Sequence, residues 1–324
     1  MQPPDTRPYA TVPEYIYGIT REIWEDRGIG EKLGRYYAAD CLVRAPTGLT
    51  QGMAGVAGDT LQTLHQFSDR RLVGEDVIWR DGGDGSFLSS HRLISVMRQQ
   101  QDGRYGEATG RLVKSRIIAD CWIRNGQVVE EWLVRDQAAF ATCLGLAPRE
   151  LAQVMLDQDR ATGRQPFFLP EQDRPSAFEA VIDDDPVAAP YIDGYRRILG
   201  ERTTRAVRDV YFEGAEIAIP GGARCNGHAE IDAFFISYLA SIPDAAFAVH
   251  TAIVKREPEQ PTRVALRWSL DGTHLGWGRF GAPTGARLHV MGLSHAHLVD
   301  GKVALEWIVA DEVAIWKQVL AATA

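Results

Sequence analysis

Apolar residues are spaced along this chain in two ways, and the two kinds of spacing follow each other in the same order twice. Near the start of each half, apolar residues recur at steps of three and four, which is typical of amphipathic helices. These positions are Ile16, Ile19, Ile23, Trp24, Leu61, Leu64 and Phe67 in the first half, and Tyr191, Tyr195, Ile198, Leu199, Ile231, Phe234, Phe235, Tyr238 and Leu239 in the second. Strand-like stretches follow at residues 87–97, 111–123 and 128–134, and again at 264–270, 287–299 and 303–309. Helices followed by a sheet predict an α+β fold.

The two halves are copies of one another, because a constant shift of 175 residues aligns identical residues along most of their length. The shift aligns Gly52 with Gly227, Gly126 with Gly301, Glu131 with Glu306, and Asp136 with Asp311. Asn-Gly and Asp-Gly dipeptides precede the last strand of the two copies, and both favour the tight turns of antiparallel hairpins. We therefore predict two domains, at residues 13–144 and 190–322. Residues 145–189 between them combine a predicted helix with a proline-rich linker that we expect to lie on a surface.

Charge and composition exclude several classes of function. The chain of 324 residues has 35 basic and 43 acidic residues, a net charge of −8, so we expect no nucleic-acid partner. No apolar run approaches the roughly 20 residues of a membrane span, and the proline-rich start lacks the pattern of a signal peptide. We therefore expect a cytoplasmic protein that binds no membrane. The four cysteines form no paired motif, and phosphate-binding loops and serine elbows are absent, so we expect neither a metal nor another cofactor.

Three segments of the second copy resemble the SnoaL-like family of the nuclear transport factor 2 superfamily. They are Gly-Thr-His-Leu-Gly at 272–276, Ala-Pro-Thr-Gly at 282–285, and 299–307, which ends in Glu-Trp. The resemblance extends to 108–110, 125–128 and 131–136 in the first copy. It implies that each copy is a curved antiparallel sheet wrapped around N-terminal helices, a cone with an apolar pocket. Members commonly dimerise through the outer sheet face, so the resemblance also implies an intrachain pseudo-dimer and leaves a homo-oligomer open.

The acid and base residues of the family are missing here. Some members are polyketide cyclases that close a ring by aldol chemistry, using a pocket aspartate and a nearby histidine. The aspartate position corresponds to Leu133 and Ile308, and the histidine position to Ala119 and Ser294. Apolar side chains cannot accept a proton, so the resemblance implies the pocket but not the catalytic pair.

One carboxylate per copy is predicted to face the pocket. Side chains alternate along a strand, so Glu131 and Arg135 share the face of Leu133, and Glu306 shares that of Ile308. An apolar pocket would raise the pKa of either glutamate, which makes both candidate catalytic bases. The alternative is that each glutamate forms a structural ion pair with a neighbouring arginine. The candidate ligand-binding residues are Tyr17, His65, His91, Arg92, Leu133, Arg135, Arg267, Ser294 and Ile308.

Three histidines, His289, His295 and His297, share parity on one predicted strand of the second copy. Two imidazoles two residues apart form a possible metal motif. The resemblance, however, puts Ser294 on the pocket face and the histidines on the opposite face. We therefore favour an interface between domains or subunits over a metal site.

Two hypotheses for the function remain open. The first is an isomerase, cyclase or lyase that works without a cofactor on a small hydrophobic carbonyl compound of polyketide type, with Glu131 or Glu306 as its base. The second is a non-catalytic protein for small-molecule binding or assembly, whose pockets have lost their acids and bases. The substrate, and the copy that acts on it, stay undecided at this stage.

Overall fold

The computed structural model describes residues 2–323 and has two units, each with six strands and its own helices. The first unit has helices α1 (Val12–Thr20), continued by a π-helical turn (Arg21–Glu25), α2 (Glu31–Tyr36), α3 (Gly52–Gln66) and α4 (Gln137–Leu144). Its strands are β1 (Tyr37–Ala45), β2 (Gly48–Gln51), β3 (Arg71–Asp81), β4 (Phe87–Arg98), β5 (Leu112–Arg124) and β6 (Gln127–Arg135). Helix α5 (Pro148–Thr162) and a 3₁₀ turn (Pro170–Gln172) connect the units.

The second unit repeats this order of elements. Its helices are α6 (Ala189–Tyr195), continued by a π-helical turn (Arg196–Gly200), a 3₁₀ turn (Thr204–Ala206), α7 (Val207–Val210), α8 (Gly227–Ser241) and α9 (Glu312–Ala321). Its strands are β7 (Tyr211–Ile219), β8 (Ala223–Asn226), β9 (Ala246–Lys255), β10 (Thr262–Thr273), β11 (Arg287–Val299) and β12 (Lys302–Ala310). The strand orders are β2-β1-β6-β5-β4-β3 and β8-β7-β12-β11-β10-β9, so the two sheets have the same topology.

The α+β prediction is confirmed, but each sheet has three strands that the sequence analysis did not predict: β1, β2 and β3 in the first unit, and β7, β8 and β9 in the second. Strands β1 and β2, and their counterparts β7 and β8, lie between the helices in sequence, whereas the sequence analysis placed all strands after the helices. Strand β1 also runs parallel to β6, with Val43 opposite Glu131, and β7 runs parallel to β12. Both sheets are therefore mixed, and the added strand places its residues beside the predicted pocket glutamate of each copy.

The repeat extends to details of the backbone. The π-helical turns occupy equivalent positions, which widens the first helix at the same point in both units. Gly52 and Gly227 both begin a long helix with positive φ, +71° and +70°. A Cβ atom at Gly52 would lie 3.0 Å from the carbonyl oxygen of Ala39, so glycine is needed there for space as well as for conformation.

The outer faces of the two sheets pack against each other, which confirms the predicted pseudo-dimer. The apolar part of this contact is formed by Ile78, Leu88, Ile118, Trp122, Trp132, Val134, Ile253, Ala265, Met291, Leu293 and Val309. The Arg92 guanidinium lies 3.6 Å from the ring centroid of Trp307, and that of Arg267 lies 3.7 Å from Trp132. These pairs are equivalent under the shift of 175, so the contact has the pseudo-twofold symmetry of an isologous dimer.

The segment between the units lies on their surface. The Phe178 ring stacks on Trp122 with centroids 4.4 Å apart, and Ile182 forms a β-bridge with Ala252. Helix α5 packs on α9, where the Lys317 ammonium lies 2.6 Å from a carboxylate oxygen of Asp159. Within residues 2–323, no helix combines the length and the apolar character that crossing a membrane requires.

Candidate functional site

The concave face of the first sheet and helices α1 and α3 enclose a cavity of about 300 Å³. Its apolar wall is formed by Ile16, Ile19, Ile23, Val43, Leu93 and Ile117. Glu131, Leu133 and Arg135 from β6 also line it, because alternate side chains of a strand point to the same face. A cavity of this size has room for a small organic ligand.

Glu131 is a buried carboxylate on the cavity wall, with 6% of its surface exposed. The Tyr37 hydroxyl, from β1, donates a hydrogen bond of 2.8 Å to its Oε2 atom. Burial raises the pKa of Glu131, and the Tyr37 hydrogen bond and the positive charge of Arg135 offset this only in part. Among residues 2–323, Tyr37 is the one hydrogen-bond donor to this carboxylate. Glu131 therefore retains acceptor capacity toward the cavity.

His91 lies on the cavity wall from β4, in the cross-strand row that includes Ala119 and Leu133. Its Nε2 atom is buried and has no hydrogen-bond partner among residues 2–323. Burial lowers the pKa of His91 to about 4, so the ring is neutral near pH 7. A neutral imidazole with a free nitrogen can exchange a hydrogen bond with a ligand.

Two arginines and a tyrosine occupy a second polar region of the wall. Arg70 comes from the turn before β3, Arg135 from the end of β6, and Tyr105 from the loop between β4 and β5. Among residues 2–323, neither guanidinium has a carboxylate within 4.0 Å. Burial, followed by the charge of Arg135, lowers the pKa of Arg70 to about 10. Arg70 therefore stays charged at neutral pH, and neither arginine has an internal counterion among residues 2–323.

The equivalent glutamate of the second unit is fully engaged by the protein. The hydroxyls of Tyr191, Tyr195 and Tyr211 each donate a hydrogen bond of 2.6 Å to Glu306. Burial raises the pKa of Glu306, and the three hydroxyls oppose that shift. Tyr211 opposes Val303 in the second sheet as Tyr37 opposes Val128 in the first, so these two tyrosines correspond. The equivalents of Tyr191 and Tyr195 in the first unit, by contrast, are Ile16 and Thr20. Glu306 is therefore held as a structural hydrogen-bond acceptor.

Aromatic side chains fill the interior of the second unit. The Tyr195 ring lies 5.8 to 6.2 Å from the rings of Phe235, Phe247 and Trp268. The four equivalent residues of the first unit line its cavity and are smaller: Thr20, Thr60, Leu72 and Leu93. Gly292 replaces Ile117, and a Cβ atom there would lie 2.2 Å from Trp268.

The predicted ligand-binding residues divide between the cavity and other places. His91, Leu133 and Arg135 line the cavity together with Glu131. Tyr17 lies outside the cavity, 40% exposed, and its ring contacts the His91 ring edge-on. The side chain of His65 on α3 points to solvent and does not reach the cavity. Ser294 is hydrogen-bonded to Tyr195 and Trp268 in the filled interior of the second unit, where Ile308 is also buried.

Arg92 and Arg267 do not reach either interior. They lie on the outer sheet faces, where Arg92 pairs with Glu75 at 3.1 Å and Arg267 with Asp120 at 3.4 Å. Neither therefore pairs with Glu131 or Glu306, the alternative considered from the sequence. Adjacent residues of a strand point to opposite faces of a sheet, and these two arginines point to the outer face, where the two units meet.

The three histidines of β11 lie outside the second interior. His295 hydrogen-bonds to Ser90 of the first unit at 2.8 Å, and His297 lies 3.8 Å from Asp76 of that unit. His289 instead hydrogen-bonds to Asp271 at 2.7 Å. Within residues 2–323, no cluster of three or more His, Cys, Asp or Glu side chains is arranged to hold a metal ion.

Sequence reasoning missed Tyr37, Arg70 and Tyr105. Tyr37 lies on β1, a strand whose charged and small residues hide its alternation. A signal for the other two was present, since the shift of 175 pairs Arg70 with Ala245 and Tyr105 with Phe280. Positions that are polar in one copy and apolar in the other indicate groups that the common fold does not require.

Comparisons with known proteins give matches that each span less than half of this chain. Residues 191–319 match the family model for SnoaL-like polyketide cyclase. Three similar solved structures are IdmH from Streptomyces antibioticus (19% identity over 42% of this chain and 100% of that chain, TM-score 0.36), TsrD from Streptomyces laurentii (17%, 42% and 97%, TM-score 0.37), and a SnoaL-like polyketide cyclase from Agrobacterium tumefaciens (21%, 41% and 98%, TM-score 0.33). No curated protein gives a significant match.

Proposed function

Because residues 191–319 form a SnoaL-like domain and the first unit repeats its topology, we propose that this chain is an acid–base enzyme of the SnoaL-like family, with its working site in the first unit. The reaction is an isomerisation, ring closure or elimination of a small hydrophobic carbonyl compound, and Glu131 is the base. The observation that carries the proposal is the difference between the two glutamates. Glu131 lines a cavity and has one donor, whereas Glu306 is surrounded by three tyrosine hydroxyls.

The first chemical step is removal of a proton from the carbon next to a carbonyl group. The C–H bond breaks, the proton moves to a carboxylate oxygen of Glu131, and the electron pair delocalises onto the carbonyl oxygen as an enolate. The raised pKa of Glu131 improves the match between base and carbon acid, and Tyr37 holds the carboxylate in place. The neutral ring of His91, with its proton on the unpartnered Nε2 atom, is assigned to donate a hydrogen bond to the enolate oxygen.

The enolate then has three possible fates, and each is a known outcome of this first step. Return of the proton to another carbon gives an isomer, attack of the enolate carbon on a second carbonyl closes a ring, and loss of a β-substituent gives an elimination product. All three begin with the same exchangeable proton. A test of proton removal therefore does not require the final product to be known.

The second unit serves as a structural partner in this proposal. Its interior is filled, and its outer face covers the convex side of the sheet that carries Glu131. Strand β11 contacts β6, and β12 contacts β5 and β6. The second unit thereby stabilises the two strands that form the cavity floor.

The test is deuterium exchange of ligand protons in D₂O, followed by NMR. The ligands are 2-acetylnaphthalene, 1-tetralone and a 3-oxo-3-arylpropanoate ester, three aromatic ketones with protons next to the carbonyl. We expect the wild-type protein to accelerate exchange for at least one of them, and Glu131→Gln to reduce that acceleration about 100-fold or more.

Glu306→Gln is the matched control, assayed well below the melting temperature of both variants. It removes the same functional group from the equivalent strand position, and we expect it to retain the wild-type exchange rate. Equal losses in the two variants, or wild-type exchange in Glu131→Gln, would contradict the assignment of Glu131.

A second candidate function is ligand binding without turnover. It is favoured by Ala119 and Leu133, which stand where family cyclases have their histidine and aspartate. Saturable binding of a ketone to the wild-type protein, with no acceleration of its proton exchange, would support this candidate over the enzyme.

A further inference from the structure

The polar end of the first-unit cavity carries two positive charges that the protein does not neutralise. Arg70 and Arg135 both line the cavity, and the Nε atom of Arg70 is buried without a hydrogen-bond acceptor among residues 2–323. Tyr105 lines the same region, within electrostatic range of both guanidinium groups. Two like charges in a partly enclosed space repel each other, so the arrangement is unfavourable unless something else occupies it.

The acidic groups near this region are engaged elsewhere. Asp311 caps helix α9 by accepting a hydrogen bond of 3.0 Å from the Ala314 amide. Asp159 is bound by Arg104 and Lys317, and Asp59 accepts a hydrogen bond from Thr50 and lies 3.5 Å from Arg164. Glu131 lies four residues before Arg135 on β6, and its bonded oxygen faces Tyr37. No acidic side chain of residues 2–323 therefore pairs with Arg70 or Arg135.

The second unit shows that the fold does not need these three side chains. The residues equivalent to Arg70, Arg135 and Tyr105 are Ala245, Ala310 and Phe280, all buried. The backbone is the same at each position. The amide of Arg70 bonds to the carbonyl of Phe67 as that of Ala245 bonds to Ile242, and Arg135 opposes Ile117 as Ala310 opposes Gly292. The charged set occurs only where the cavity occurs.

We propose that the first-unit cavity binds its ligand through a carboxylate group, which Arg70 and Arg135 hold with the Tyr105 hydroxyl as an additional donor. A carboxylate is opposite in charge to the guanidinium groups, and its two oxygens can accept hydrogen bonds from both of them. The rest of the wall is largely apolar, so the ligand is a hydrophobic carboxylic acid. Combined with the proposed function, on which this last step rests, the substrate class is a hydrophobic keto acid.

The test is isothermal titration calorimetry with a matched pair of probes, 2-naphthylacetic acid and its neutral amide, at pH 7.5. Because charge-assisted hydrogen bonds are lost with the amide, we expect the wild-type protein to bind the acid roughly 10- to 100-fold more tightly. Arg70→Ala and Arg135→Ala introduce the residues of the second unit, and each should remove most of this preference without weakening amide binding. Arg71→Ala is the control, since Arg71 is the adjacent arginine and its side chain is 71% exposed.

Equal affinity for acid and amide, no binding of either probe to the wild-type protein, or an undiminished preference in both alanine variants would overturn the proposal. Arg135→Lys keeps the charge but not the planar fork, and we expect an intermediate preference, which also tests the site if an alanine variant folds poorly. Glu131→Gln should retain the preference for the acid. Failure of Glu131 as a base is thereby separated from failure of the carboxylate site.

Discussion

The interiors of the two units differ far more than their backbones. Both units have the same strand order, the same π-helical turn and a glutamate at the same position of the last strand. The first encloses a cavity of about 300 Å³, whereas aromatic rings meet around Tyr195 in the second. The difference shows that a few side chains, and not the cone itself, decide whether the fold presents a site.

The side chains that differ between the two interiors also decide how many hydrogen bonds the glutamate accepts. Tyrosines at 191 and 195 both fill the space and saturate Glu306, while Ile16 and Thr20 leave both the space and an acceptor at Glu131. A core that contains a cavity is less stable than a filled core, because fewer apolar contacts form. The second unit thus contributes packing, and the first unit retains room for chemistry.

Removal of the two glutamates should have very different effects on stability. Glu306→Leu leaves the hydroxyls of Tyr191 and Tyr211 buried without an acceptor, which costs about 4 kcal/mol. Glu131→Leu deprives only Tyr37 of its acceptor and relieves the desolvation of the carboxylate, so we expect about 1 kcal/mol. Urea unfolding followed by tryptophan fluorescence compares the two variants. Similar midpoints would mean that both glutamates have the same role.

Opening the filled interior should also be costly. Trp268→Leu places the first unit's residue in the second unit, and because Gly292 cannot fill the space, we expect a loss of about 3 kcal/mol. The double variant Trp268→Leu, Gly292→Ile restores the complete pair of the first unit and should recover part of that loss. Thermal unfolding measures both, and a double variant no more stable than the single one would contradict this pairing.

The sequence predicts the plan of the molecule better than its site. A constant shift of 175 residues establishes the duplication, and strand alternation places Glu131, Leu133 and Arg135 on one face because their spacing depends on a single strand. Whether that face borders empty space depends on side chains from four other elements, which periodicity does not reveal. Strand alternation also shows that Arg92 and Arg267 share one sheet face. Which face that is depends on the register of their strands with the neighbouring strands, and the sequence does not give that register.

His91 should make the stability of the protein sensitive to acid, at a position where the second unit has Leu266. The pKa of His91 is about 4 in the folded state, below the value of about 6.5 in the unfolded chain, so folding favours the neutral ring. The free energy of unfolding therefore does not depend on His91 titration above pH 6.5. As the pH falls from 6.5 toward 4, the unfolded chain binds a proton that the folded protein does not, and this lowers the free energy of unfolding by about 2 kcal/mol at pH 5.

His91→Leu is the variant that isolates this contribution. The other histidines with lowered pKa values, His250, His274 and His295, are present in both proteins and cancel in the comparison. Urea midpoints at pH 7.5 and pH 5 should therefore fall less for His91→Leu than for the wild-type protein. Equal falls would show that His91 does not titrate differently in the folded and unfolded states.

Filling the first cavity should convert its interior to that of the second with a small effect on stability. In the triple variant Thr20→Tyr, Leu93→Trp and Ile117→Gly, each residue takes the identity of its equivalent, Tyr195, Trp268 and Gly292. The new tyrosine is placed to donate to Glu131 as Tyr195 does to Glu306, so ligand space and free acceptor disappear together.

We expect this triple variant to bind aromatic ligands at least about tenfold more weakly, a change of about 1.4 kcal/mol, and to melt within a few degrees of the wild-type protein. Calorimetry with the neutral naphthyl amide measures the affinity without involving the arginines. The variant Leu93→Trp alone is the control, because the retained Ile117 obstructs the indole and should lower the melting temperature. A triple variant that still binds the amide with wild-type affinity would locate the ligand site outside this cavity, and the difference between the two interiors would then concern packing alone.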